Sequence, residues 1–298
     1  AALLRDLYFK TEEVLTGALA THGDAARVKG ILAALRAALP EWSEADFEAH
    51  AARGNAAYWL SHDTATLVRH ARIIREAEAN KAPLALDWRV DAYRAVTELT
   101  VYTADHAGLF AKIAGAIAVA GGNIVDARIF TLANGMALDS FSVQDTAGNS
   151  FDRPDKLARL SATIERSLAG RLWPEEVAAV GRGLPSRLDV FQVPPRVLID
   201  NKASATHTVI EVNGRDRPGL LYALTKALTE LNLQISSAKI STYGERVVDV
   251  FYVKDVFGLK VEHEQKLRRI HEHLSGVLAG AVGALGGGSL RKSVASAV

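Results

Sequence analysis

Two five-residue stretches have the residue types and spacing to hold a small charged molecule: Asp105-His106-Ala107-Gly108-Leu109 and Asp216-Arg217-Pro218-Gly219-Leu220. Each follows a strand-like alternating run and opens an apolar run with helical spacing, so each sits at a helix N-terminus. The first backbone N–H groups of a helix lack intrahelical partners and carry partial positive charge, which suits a carboxylate. Gly108 and Gly219 let a ligand approach the backbone closely, and the Asp105 and Asp216 carboxylates suit an ammonium. A local explanation stands beside this one: Asp favours helix starts, and Pro218 suits the first helical position. Asn123 and Gln234 hold equivalent places at the start of the following strand. Their amides can face a ligand across an interface between two modules, or simply end a turn. His106 is matched by Arg217, so the two turns need not bind alike.

Other polar residues carry less. His62-Asp63 forms an HD dipeptide, but metal-assisted hydrolysis needs several more ligands. No spacing recruits His50 or His70, so the dipeptide reads as a helix start. His263, His271 and His273 lie among Glu and Lys and read as a solvated helix face. Lys226 and Lys239 can attract phosphate or carboxylate, as can any surface lysine. No catalytic constellation is visible, and no metal site is assigned.

The surrounding elements must place these turns. Residues 1 to about 95 read as helical: Val28, Ile31, Leu32, Leu35 and Leu39 recur at helical spacing up to Pro40. Ser43 and Asp46 then open a further helix in the manner of a capping box. Leu67 to Ala79 continues to the connector Asn80-Lys81-Ala82-Pro83. From Thr97 the reading is strand, turn, helix (Leu109 to Ala120), the Gly121-Gly122 stop, two strands joined by Asn134-Gly135, and a helix from Leu157 to Leu168.

This order repeats. At an offset of 111, Asp105, Gly108, Leu109, Ala116, Ile124, Ala127, Ile129 and Thr131 meet identical residues from Asp216 to Thr242. At an offset of 110, Asp139, Phe141, Val143, Asp145 and Gly148 meet Asp249, Phe251, Val253, Asp255 and Gly258. Each copy is a βαββα unit. A closing strand is expected between Leu188 and Asp200 for the first, and Gly280 to Ser289 leaves that of the second open. The expected fold class is therefore α+β: a helical segment over 1–95, then two ferredoxin-like βαββαβ modules over 97–180 and 207–290.

Composition bounds the function. The chain has 298 residues, 49% apolar and 23% charged, with a net charge of +1, which favours neither nucleic acid nor an anionic membrane as partner. The absence of cysteine excludes disulfides and thiolate sites. No apolar run approaches the roughly 18 residues of a membrane span. Ala1-Ala2-Leu3-Leu4-Arg5 lacks an initiator Met and a signal-peptide pattern, and reads as the interior of a helix in a fragment of a longer protein.

The repeated D-x-x-G-L turn in its βαββ setting resembles the ACT signature, a family of regulatory modules that commonly bind amino acids. The likeness sharpens at Val209 to Leu221, at Ile235-Ser236-Ser237-Ala238 and over Thr242 to Val253. With Tyr58-Trp59-Leu60 and Pro195 to Asn201, nearly the whole chain is similar to the C-terminal region of the PII uridylyltransferase/uridylyl-removing enzyme family: the end of an HD domain plus tandem ACT domains. The resemblance implies L-glutamine or another amino acid as ligand, the PII protein as partner through a parent enzyme, possible self-association through ACT sheets, and a cytoplasmic location. It also implies Mg2+ for upstream catalytic domains, with no cofactor in this chain. A module that pairs subunits without any ligand is the competing function.

Overall fold

A computed structural model describes residues 22–172, 176–177, 194–217, 219–243 and 246–280. Four helices lead: α1 (His22–Ala38), α2 (Glu44–Ala51), α3 (Ala56–Leu60) and α4 (Thr64–Ala79). Ser43 caps α2, its hydroxyl accepting from the Asp46 amide at 3.2 Å, as the spacing predicts. Asp63 caps α4 by accepting from Thr66 N at 2.7 Å, so the HD dipeptide is indeed a helix start. In α4, Leu67, His70, Ala71, Ile74 and Ala77 form one buried stripe. The expectations for Ala1–Arg5, Leu188 and Pro218 fall outside the described residues.

The strands are β1 (Leu84–Asp91), β2 (Val96–Ala104), β3 (Gly122–Arg128), β4 (Met136–Asp145), β5 (Arg196–Asp200), β6 (Thr208–Arg215), β7 (Leu233–Tyr243) and β8 (Arg246–Asp255). Helices α5 (Leu109–Val119) and α6 (Pro154–Leu168) belong to the first module, and α7 (Leu220–Glu230) and α8 (Glu264–Leu278) to the second. All eight strands join in one antiparallel sheet of order β1-β2-β4-β3-β7-β8-β6-β5. The fold class is as expected: a helical part followed by two ferredoxin-like modules.

One feature of connectivity differs. The strand beside β2 does not follow α6; it is β1, which precedes β2, so the helical segment stops short of residue 95. Arg196–Asp200 is a strand, but it pairs with β6 and serves the second module rather than closing the first. Each module therefore runs ββαββα and begins earlier than expected, at Leu84 and Arg196. The physical reason is economy of connection. An unpaired edge on β2 needs a partner, and the four residues Ala92–Ala95 deliver one by a hairpin, with little loop-closure entropy. Leu84, Leu86 and Trp88 alternate with Asp87 and Arg89 and pack on the main core. Beyond Gly280, the stretch left open as a last strand lies outside the described residues.

The modules join at their inner edges: Asp126, Ala127 and Arg128 of β3 pair with Ser241, Ile240 and Lys239 of β7. Ala127 and Ile240 then enter a single core that also holds α5 and α7. Gly115 on α5 permits close contact there, because a Cβ would lie 2.9 Å from the Tyr222 ring. The opposite face of the first module is covered by the N-terminal helices. Tyr102, Phe130, Leu132 and Leu138 share a second core with Trp42, Tyr58, Trp59, Leu67 and Ile74.

Candidate ligand site at the module interface

The edge pairing relates the two modules by an approximate two-fold axis through the Arg128–Lys239 pair. That symmetry carries the start of each module's strand after α5 or α7 to the other module's turn. Asn123 thus reaches the second turn, its Nδ2 donating to Asp216 Oδ2 at 3.4 Å. Gln234 and Ile235 line the same cavity as Asp105, His106 and Gly108. The sequence offered Asn123 and Gln234 as residues facing across an interface, and the structure puts both there.

Gly108 and Gly219 precede their helices with φ of 80° and 77°. A Cβ at Gly219 meets nothing within 4 Å, and one at Gly108 only ordinary contact with Thr229. The glycines are therefore required by backbone conformation rather than by space. Leu109 N and Leu220 N close the two turns onto His106 O and Arg217 O, each at 3.0 Å. The N-cap of each helix is its glycine, so neither α5 nor α7 has a side-chain cap there, and Asp105 and Asp216 stand three residues before it. Thr131 Oγ1 donates to Asp105, and burial raises the Asp216 carboxyl above its usual range.

A second carboxylate stands behind each turn, and the sequence reading assigned it no role. Asp139 is 1% exposed, accepts from Phe130 N at 3.4 Å through Oδ1, and leaves Oδ2 without a partner among the described residues. Burial, with the nearby Asp105 charge, pushes it well above the carboxylate range. Asp249 repeats the arrangement: burial, with Asp216 adding repulsion, raises it to about 8, and Oδ1 has no partner among the described residues. The signal was present in the sequence. Asp139 and Asp249 are repeat identities in step with the core-facing Phe141/Val143 and Phe251/Val253, where an isolated carboxylate is costly unless a cation meets it.

The two sites differ in openness. The first turn opens onto a cavity of about 1040 Å³, lined also by Asp139, Gln234 and Ser236 and roofed by Ala56, Ala57 and Leu60 of α3. At the second turn about 30 Å³ remains among Asn123, Asp216, Arg217 and Asp249. Arg217 is drawn away from the turn, donating to Val277 O at the end of α8, whereas the exposed His106 lies 3.0 Å from the neighbouring Ala107 carbonyl. Chemically, each turn couples uncapped helix amides to two carboxylates. That combination is matched to a molecule bearing both an anionic and a cationic group.

Comparison with known proteins fits this geometry. Residues 203–280 match the model of the ACR family N-terminal ACT domain. The chain is 58% identical over 281 residues to the bifunctional uridylyltransferase/uridylyl-removing enzyme of Azospirillum brasilense, covering 94% of this chain and 30% of that one. It is 48% identical to the Rhodospirillum rubrum enzyme of the same name, over 95% of this chain and 30% of that one. With the Gluconobacter oxydans enzyme the identity is 47%, with the same 30% share. By sequence, this chain matches a portion of the bifunctional uridylyltransferase/uridylyl-removing enzymes. It spans 30% of the length of these relatives.

The remaining candidates fall outside the interface of the two modules. His50, His62 and His70, which no spacing linked, meet in one buried aromatic cluster. His62 and His70 ring centroids are 4.9 Å apart, and His50 lies 5.8 Å from Trp59. Burial lowers His50 and His62 to about 4 and holds His70 well below the usual imidazole range. Among the described residues no group of three or more His, Cys, Asp or Glu is arranged to hold a metal ion. His263 and His271 are exposed on or beside α8, as a solvated face requires. No helix among the described residues is long and apolar enough to cross a membrane.

Proposed function

We propose that the chain senses a free amino acid, L-glutamine first, at the interface of its two ACT modules and passes that state to the catalytic domains of a longer enzyme. One observation carries the reading: the buried, half-partnered Asp139 carboxylate beside Asp105, beneath an uncapped helix start and opposite Gln234 of the other module. The α-carboxylate takes the α5 amides, the α-ammonium sits between Asp105 and Asp139, and Gln234 offers an amide to the ligand. Similarity to bifunctional uridylyltransferase/uridylyl-removing enzymes supports a regulatory role. The glutamine signal then sets the balance between uridylylation and deuridylylation of the PII protein, with Mg2+ serving the catalytic domains. The chain by itself, given UTP, Mg2+ and PII protein, is expected to transfer no uridylyl group.

Titration calorimetry of the 298-residue chain against the twenty amino acids tests the binding step. Saturable heat with glutamine is expected. No heat and no thermal shift with any amino acid at millimolar concentration overturns the reading and leaves an ACT-type pairing module in its place.

A further inference from the structure

We infer that Phe130 is the relay by which an occupied first-module site signals to the N-terminal helices, an inference that rests on the sensing reading above. The segment Ile129–Leu132 runs between the site and the helices, and successive residues face opposite ways. On the site side, Thr131 Oγ1 donates to Asp105, and the Phe130 amide donates to Asp139 at 3.4 Å. On the helix side, the Phe130 ring is buried edge-on between two rings of the helical segment. Its centroid lies 5.5 Å from Tyr58 and 5.4 Å from His62. From there contacts reach α4: His62 stands 4.9 Å from His70, and Tyr58 Oη lies 3.1 Å from His70 Nδ1. Ser140, the chain neighbour of Asp139, reaches the same ring, Oγ to His70 Nε2 at 3.4 Å.

The second module acts as an internal control. Its site keeps both carboxylates, Asp216 and Asp249, and the threonine, Thr242, yet Phe130 corresponds to Ser241, Ser140 to Val250 and Tyr102 to Asn213. The ring and hydroxyl contacts are thus additions to the first module, not requirements of the fold.

The physics of transmission follows from the geometry. An ammonium between Asp105 and Asp139 favours the ionised form of Asp139 and strengthens its bond to the Phe130 amide, because a charge-assisted hydrogen bond is shorter and stronger than a neutral one. The 129–132 segment tightens toward the site, and a ring packed between two others cannot follow without repacking them. Tyr58, His62 and then His70 of α4 adjust.

Hydrogen exchange on the full chain with L-glutamine reads binding and relay separately. In the wild type, glutamine is expected to slow exchange at residues 105–111 and also in α4, which does not line the cavity, about fivefold or more in each. Phe130→Leu keeps the apolar packing, and Phe130→Ser installs the second module's residue. Both are expected to bind glutamine within about twofold of wild type and keep the protection at 105–111 while losing the α4 response. Thr131→Val is expected to diminish it. Glutamine binding without any α4 response in the wild type, or an undiminished α4 response in folded Phe130→Leu, overturns the relay and leaves sensing intact. Loss of affinity in step with the α4 response makes Phe130 part of the binding site and also overturns it. No binding heat and no protection at 105–111 overturns sensing and relay together.

Discussion

The two ACT modules share the residues that set their fold and differ in those that set their surroundings. Both keep the positive-φ glycine, the paired aspartates and the core-facing Phe-x-Val of the fourth strand. The first module carries Tyr102, Phe130 and Leu138 on its outer sheet face, where they bury under α1–α4. The second has Asn213, Ser241 and Val248 at those positions. The first turn opens onto about 1040 Å³ and the second onto about 30 Å³. The turn and its two carboxylates are thus kept in both modules, while the first opens onto the larger cavity and packs its outer sheet face under the N-terminal helices.

The largest expected effect separates the covered module from the bare one by pH. His50 and His62 are held near 4 by burial, against 6.5 in an unfolded chain. Above pH 6.5 both states are neutral and the packing is at full strength. As pH falls toward 4, only the unfolded or detached state takes up protons, so stability falls, by about 3 kcal/mol per histidine. Near-ultraviolet circular dichroism, to which Trp42 and Trp59 contribute, is expected to be lost between pH 6 and 4 before the sheet signal declines. Coincident loss of both signals breaks the comparison.

Next in size are the two glycines. A valine at φ near +80° is strained, costing of order 1–3 kcal/mol, and re-aims the turn. Gly108→Val is expected to weaken glutamine binding about a hundredfold or more in calorimetry. Gly219→Val, at the closed site, is expected to lower the melting temperature and leave affinity within about threefold. The reverse pattern assigns binding to the second turn.

Asp139→Asn keeps the shape and removes the charge beneath the ammonium. Losing a charge-assisted hydrogen bond of about 1.5–3 kcal/mol weakens glutamine binding about ten- to a hundredfold. Because burial, with the nearby Asp105 charge, holds the Asp139 carboxyl well above the usual carboxylate range, an ammonium that ionises it there displaces a proton. Wild-type affinity is therefore expected to rise with pH, by up to about tenfold per unit, and the variant's pH dependence to be flatter. Equal slopes refute the ionised Asp139 as ligand.

How much of this was legible in the sequence follows from the kind of signal each feature leaves. The turns, the helix stops and the Asn134-Gly135 hairpin are local chemistry, and the repeat multiplied each weak motif by two. The same duplication marked Asp139 and Asp249, but as identities of a sheet row rather than as a site, since a carboxylate's burial is a tertiary fact. Leu84 to Asp91 alternates plainly. Its identity as a strand depends on β2, which lies after it in the chain, and that pairing leaves no local signal. The histidine cluster left no pattern at all: His50, His62 and His70 sit on α2, between α3 and α4, and on α4, and packing around Tyr58 and Trp59 unites them.

The smallest expected effect bears on why one site is closed. Asn123 bridges to Asp216 at 3.4 Å, and Arg217 is pinned to Val277 O. The remaining 30 Å³ accommodates about one water, not an amino acid. Wild-type chain is therefore expected to bind one glutamine. Asn123→Ala combined with Arg217→His removes the bridge and the pin and gives the second turn the histidine of the first. Both lost contacts are partly solvated, so the stability cost is expected to stay near 1 kcal/mol each. The gain is a second, weaker binding event in calorimetry, abolished by adding Gly219→Val. If instead wild type already binds two glutamines and Asn123→Ala alone reduces that to one, Asn123 is a ligand contact, the second site opens on binding, and the asymmetry belongs to the empty protein only.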